Sequence, residues 1–194
     1  GCTVASRVSR DAVTFGLDVS VRAEDDDVVE RKIKGRPPRL PVVFHSSSAP
    51  LYLLTFCTLL RRPILAAPEI HAAFQQYAVR GRDFNIAVGR YVIMPDHVHA
   101  FVCFGGDVGI EQWTRGLKRV LEVELRGAGQ KPVSVGDSVL KSFWQPGVFD
   151  HLLRHDESYG KKWEYVWRNP VRAGLVTTPE AWPYQGEIVV IDRV

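Results

Sequence analysis

Arg90-Tyr-Val-Ile-Met-Pro-Asp-His-Val-His-Ala-Phe-Val-Cys-Phe104 consists of two apolar runs joined at Pro95-Asp96, with His97 and His99 one valine apart just past the joint. Read as a strand, the second run alternates: His97 and His99 share one face, and Val98, Ala100, Val102 and Phe104 share the other. One face is therefore core, and the other carries two imidazoles at a fixed spacing. Neutral ring nitrogens are common ligands for a metal ion, and a strand fixes their separation. Taken alone, the pattern also describes two half-exposed histidines on a sheet surface.

Outward from this stretch, the elements fall in an order that suggests a fold. Leu51-Tyr-Leu-Leu-Thr-Phe-Cys-Thr58 is short, apolar and aromatic, and reads as a buried strand. Pro68 opens a helix at its first turn, Glu69 suits the positive N-terminal dipole, and Ile70, Phe74 and Tyr77 recur at helical spacing until Arg80-Gly81. Phe84 to Met94 forms the next strand, with Gly89 a bulge position, and Pro95-Asp96 turns it into the histidine strand. After Gly105-Gly106, the positions Ile110, Trp113, Leu117, Val120, Leu121 and Leu125 make an apolar stripe. Arg115, Lys118, Arg119 and Arg126 fall mostly off that stripe, as a basic side that can lie along a phosphate backbone or simply face water. Val139 to Trp144 reads as a short last strand, and a final helix runs from about Asp156 to Asn169, stopped by Pro170. Strand-helix-strand occurring twice around a central hairpin is the split pattern of a ferredoxin-like α+β fold. It predicts an antiparallel sheet with two helices on one face, the histidines on the open face, and an added C-terminal helix.

A chain of 194 residues with 45% hydrophobic content supports one core rather than two. Residues 1–40 combine Glu24-Asp-Asp-Asp27 with Arg31, Lys32, Lys34, Arg36 and Arg39, and read as an arm or linker. The domain then spans 41–176, and 177–194 reads as a C-terminal tail. The net charge of +3 permits a nucleic-acid partner without demanding one. Three cysteines without metal-ligand spacing fit a reducing cytoplasm, and no apolar run reaches the length of a membrane span. The N-terminus lacks the apolar core of a signal peptide, and with Met94 as the only methionine, residue 1 reads as a processed or truncated start.

At ~100° per residue, Tyr159, Trp163, Val166 and Trp167 cluster on one side of the last helix, its packing face. Tyr165 points elsewhere, in the sector of Ser158, Lys161, Lys162 and Asn169. Asn169 lies one turn along the same face, so a phenol and a neutral amide oxygen are presented together.

These residues resemble the single-tyrosine HUH transposases, and within them the REP-associated tyrosine transposase branch. The resemblance covers roughly residues 50–184. It rests on Met94-Pro-Asp-His-Val-His99, on Phe143-Trp-Gln145 with Phe149-Asp-His-Leu-Leu-Arg154, on Tyr165-Val-Trp-Arg-Asn-Pro-Val-Arg-Ala-Gly-Leu175, and on Trp182-Pro-Tyr184. It implies that His97 and His99 are metal ligands, that Tyr165 is the nucleophile, and that Asn169 occupies the position where many relatives outside this branch carry a glutamine as third ligand. Asparagine is one methylene shorter and precedes a proline, which biases it out of helical geometry; His151 or Asp150 is the fallback ligand. The resemblance also implies Mg²⁺ or Mn²⁺, a 5′-phosphotyrosine intermediate on single-stranded DNA, and a free 3′-hydroxyl that later reverses the attack.

The chemistry is consistent with that set. A phenol with an ordinary pKa near ~10 is a weak nucleophile at neutral pH, and a divalent ion compensates by polarising the phosphate. Arg154, Lys161, Lys162 and Arg168, with Lys118 and Arg119 on the preceding helix, are candidates for phosphate contacts. The expected partner is single-stranded or hairpin DNA, bound by a monomer or homodimer. A second reading is a hairpin-binding or domesticated protein with little or no transposition activity. A small metalloenzyme built on His-x-His alone would leave the tyrosine helix unexplained.

Overall fold

The computed structural model describes residues 43–45, 49–134, 141–153 and 159–192. The arm at 1–40 and Arg154 lie outside the described residues. In chain order the elements are β1 (Val43–His45), β2 (Leu51–Cys57), α1 (Pro68–Arg80), β3 (Ile86–Ile93), β4 (His97–Phe104), α2 (Ile110–Gly127), β5 (Val133–Ser134), β6 (Lys141–Ser142), β7 (Phe149–Leu153), α3 (Tyr159–Trp167), α4 (Asn169–Arg172), β8 (Gln185–Glu187) and β9 (Val190–Asp192).

Five strands form one antiparallel sheet in the order β7-β2-β4-β3-β8. With β8 set aside, the remaining four have the ferredoxin-like order. The Pro95-Asp96 turn is closed by the Met94 amide donating to the His97 carbonyl at 2.8 Å. The pairing of β3 with β4 shifts register between Val88 and Tyr91, around Gly89. Because side chains alternate with period two, this bulge resets the facing: Ile86 and Val88, then Tyr91 and Ile93, all join the helix-side core. Gly89 is also where the chain passes close to β9, since a Cβ there would lie 2.7 Å from Ile191 Cδ1.

The helix-side core follows the sequence periods. Val98, Ala100, Val102 and Phe104 of β4 meet Ile70 and Phe74 of α1 and Trp113, Leu117, Leu121 and Leu125 of α2. The two helices touch through Tyr77, whose hydroxyl donates to the Trp113 carbonyl at 3.0 Å.

Four expectations change. The sheet's outer strand opposite β8 is Phe149–Leu153 rather than Val139–Trp144; of that expected strand, 139–140 lie outside the described residues, Lys141–Ser142 pairs with Val133–Ser134, and Trp144 makes a single bridge to Thr58. The final helix breaks after Trp167 and resumes as the short α4. Pro170 has no N–H to bond Val166, and its ring crowds that residue's carbonyl, so α3 cannot continue through it. The segment read as a tail is built into the sheet. β8 pairs with β3, and the Trp182 indole N–H donates to the Ile93 carbonyl at 3.0 Å. Lastly, the second sheet face is only partly open. Phe101 and Cys103 bury there with Val166, Trp182, Val189 and Ile191, because α3 and the C-terminal segment supply apolar groups that need cover as much as the sheet does.

Candidate active site

The strand alternation places His97 and His99 on the same face as Phe101 and Cys103, at the end that α3 leaves uncovered. Their rings stand nearly perpendicular, 88° apart, with centroids separated by 4.7 Å. Each Nδ1 is engaged from behind. His97 Nδ1 lies 2.6 Å from Asp96 Oδ1, and His99 Nδ1 lies 2.8 Å from Thr55 Oγ1, on the strand paired alongside. Asp96 is fixed in turn by Arg61, whose Nε lies 2.7 Å from Asp96 Oδ2. The Asp96 carboxylate can only accept, so His97 donates Nδ1–H and its lone pair resides on Nε2; the Thr55 hydroxyl, which can accept as well as donate, allows His99 the same tautomer, the usual arrangement of metal-binding histidines.

Burial keeps both rings neutral. Loss of solvent lowers the His97 pKa from 6.5 despite the opposing pull of Asp96, and it lowers His99 to about 3, with the charges of His97, Arg61 and Arg172 adding to the effect. A neutral pair of imidazoles fits a divalent cation. Among the described residues no group of three or more His, Cys, Asp or Glu could hold one. The depressed His99 value also has a consequence for stability. Between pH 6.5 and about 3 the unfolded chain takes up a proton that the folded chain refuses, so stability should fall with acidification by up to ~1.4 kcal/mol per pH unit from this residue. His71 and His97 act in the same direction. Urea unfolding at neutral and mildly acid pH should therefore show a smaller acid loss in His99→Asn than in the wild type; equal losses would refute this.

Helix α3 packs as its phase requires. Tyr159 and Trp163 lie edge-on to Phe101, with ring centroids 4.8 and 6.3 Å away, and Arg90 sits over both rings. Tyr165 projects outward and is 64% exposed. Arg172, on the next short helix, folds back onto it. The guanidinium lies 4.0 Å from the Tyr165 ring centroid, and Nη2 donates both to the Tyr165 carbonyl at 2.8 Å and to Asn169 Oδ1. The Arg172 charge also adds, as a lesser cause, to the depression of the His99 pKa.

The fallback ligands are placed elsewhere. Asp150 is opposite Leu54 and therefore on the helix side of the sheet; His151 is opposite Leu53, in the row of Phe101, with β2 between it and the histidine strand. Asn169 is brought to Tyr165, but its oxygen is held by Arg172. The proposed DNA-contacting cations divide between the two sides of the sheet. Lys118 is tied down by donating to the carbonyls of Gln145 and Gly147 at 3.1 and 2.6 Å, and burial lowers its pKa. Arg119 stays exposed beside it, lining a cavity of about 820 Å³ with Trp144 and Pro146. On α3, Lys161 is exposed and Lys162 is half-buried, and Arg168, just past its end, is paired with Glu164 at 3.1 Å. Sequence reasoning missed Arg61, Thr55 and Arg172. Leu60 and Arg61 adopt left-handed φ values of 57° and 54°, a conformation that costs non-glycine residues energy and clusters at functional sites.

No family model matches the chain. It is 28% identical over 105 residues to the REP-associated tyrosine transposase of Escherichia coli K12, covering 53% of this chain and 55% of that protein. A Haemophilus influenzae protein provisionally given the same name is 27% identical over 121 residues, covering 60% of this chain and 65% of that protein. The chain thus spans 55% and 65% of the lengths of these relatives. In fold it is similar to a solved REP-associated tyrosine transposase bound to a REP hairpin. The TM-score is 0.54 and the identity 21%, over 70% of this chain and 75% of that one. In sequence and in fold, the likeness of this chain is to the REP-associated tyrosine transposases.

Proposed function

We propose that the domain from residue 41 onward, with the C-terminal strand built into its sheet, carries out metal-dependent cleavage and strand transfer on single-stranded DNA next to a hairpin, through a covalent 5′-phosphotyrosine at Tyr165. The observation that carries this reading is the pair of neutral imidazoles at His97 and His99, each held at Nδ1 by an oxygen of Asp96 or Thr55. It is supported by the exposed Tyr165 ring, which Arg172 contacts together with the Asn169 amide. The names of the relatives and the hairpin held by the solved structure supply the substrate class.

In this reading the Tyr165 hydroxyl loses its proton as its oxygen bonds to phosphorus, and the bond from phosphorus to the 3′ oxygen breaks. The 3′ oxygen takes up a proton and leaves as a hydroxyl, while the 5′ side stays on the tyrosine. His97 and His99 would hold a Mg²⁺ or Mn²⁺ ion through Nε2, and when bound such an ion polarises the phosphate and stabilises the departing oxygen. In this reading Asp96, and Thr55 when its hydroxyl accepts from His99 Nδ1–H, keep those nitrogens presented as lone pairs. Arg172 supplies a fixed positive charge beside the developing phenolate. Because the phosphotyrosine conserves the bond energy, no nucleotide cofactor is required. Cys57 and Cys103 as free thiols fit a reducing compartment, and no helix among the described residues is long and apolar enough to cross a membrane.

The test is to incubate the protein with a labelled hairpin bearing single-stranded flanks, with and without Mn²⁺, and to resolve the products on a denaturing gel. A metal-dependent protein–DNA adduct together with a free 3′ end is expected. Binding without any adduct would replace this reading with that of a hairpin-binding protein.

A further inference from the structure

We infer that Phe149 is a stacking platform for a nucleobase of the single strand, a nucleotide or two from the phosphate that is cut. This rests on the proposed function and adds a base subsite to it. The first observation is exposure. Phe149 is a large apolar side chain on a regular strand, yet 66% of it faces solvent. Phenylalanine has no polar tip that gains from that position, so exposing its ring in a folded strand carries a cost.

The second observation is register. Phe149 pairs with Thr55, and Thr55 pairs with His99, so the three lie in one row across β7, β2 and β4 and point to the same face. Two strand spacings separate the ends of that row, roughly 10 Å. The Thr55 hydroxyl bonded to His99 Nδ1 at 2.8 Å makes the middle of the row part of the site.

The third observation is what surrounds the row. Helix α3 covers the neighbouring row through Phe101, and with Arg90 it leans toward β3. Its cover therefore lies on the β4–β3 side, while the β2–β7 side at Thr55 and Phe149 stays accessible. A strand whose phosphate rests at His97 and His99 is thus blocked on one side and has an aromatic face on the other. Stacking suits this position because every base has a π-face, so the platform would hold the strand without dictating its sequence.

A second copy of the chain is the rival occupant, because β7 is an edge strand. The experiment measures equilibrium binding of hairpin DNA with a single-stranded flank, in the absence of metal, for wild type and Phe149→Ala. One abasic site is moved through the flank position by position. For the wild type, one position next to the cleavage point should cost roughly 5- to 150-fold in affinity, the range for losing one stacked base. Phe149→Ala should bind the intact strand more weakly by a similar factor and show no further loss at that same position, while Phe149→Trp should restore both the affinity and the abasic penalty. An unchanged abasic profile in Phe149→Ala overturns the proposal, as does a change confined to self-association in size-exclusion chromatography. Either outcome leaves the function intact if the Tyr165 adduct still forms. A wild type that binds no hairpin DNA overturns both readings.

Discussion

Replacing Tyr165 with phenylalanine is expected to abolish the covalent protein–DNA adduct, lowering cleavage by about four orders of magnitude or more, while binding of hairpin DNA persists. The substitution removes one oxygen from a side chain that is largely in solvent, so stability should stay within about 0.5 kcal/mol of wild type. The rival tyrosines are occupied in ways that disqualify them. Burial against Phe101 pushes the Tyr159 phenol up to about 12. Tyr91 is fully buried, with its hydroxyl 2.8 Å from His71 Nε2 and 2.9 Å from Gln75 Nε2. Tyr77 is committed to the Trp113 carbonyl, and Tyr52 and Tyr184 pack against the core. The decisive readouts are the adduct on a denaturing gel and peptide mapping of the attached nucleotide. An adduct in Tyr165→Phe, or a nucleotide mapped to Tyr159, would show that the outward phase of the helix has no catalytic meaning.

The second large effect is expected at the imidazole pair. Calorimetric titration of Mn²⁺ into the DNA-free protein should show binding that disappears in His97→Ala and in His99→Ala, since each removes one of the two ring nitrogens the site presents. Asp96→Asn should retain binding but weaken it by about 10- to 100-fold, because it loses the carboxylate that holds His97 Nδ1–H and with it the ring's orientation. This graded pattern separates a metal site from a merely structural cluster. If His97→Ala binds Mn²⁺ as tightly as wild type, the pair is not a ligand set. DNA-free binding is the chosen readout because it does not depend on the tyrosine or on cleavage.

The stretch from Arg90 to Phe104 revealed much about this chain because strand alternation is a local rule. The spacing alone assigned His97 and His99 to one face and Val98, Ala100, Val102 and Phe104 to the other, and β4 keeps that division. Helical phase did the same for Tyr159, Trp163 and Val166 as a packing face with Tyr165 outside it. The split strand-helix-strand order was equally local in origin, and it yielded the antiparallel sheet with both helices on one side. What went astray depended on partners distant in sequence. In sequence Val139–Trp144 and Phe149–Leu153 are both short and partly apolar, and only pairing with Leu51–Thr55 decides which of them joins the sheet. The residues from 177 onward look like a tail because they lack periodicity, and become an edge strand because β3 leaves its outer hydrogen bonds unpaired. Arg61 and Thr55 reach the histidines across 36 and 44 residues, through a left-handed turn and a cross-strand register respectively. Periodicity reports which face a residue occupies, whereas the neighbours on that face are fixed only when separate segments compete for the same hydrogen bonds and the same buried surface.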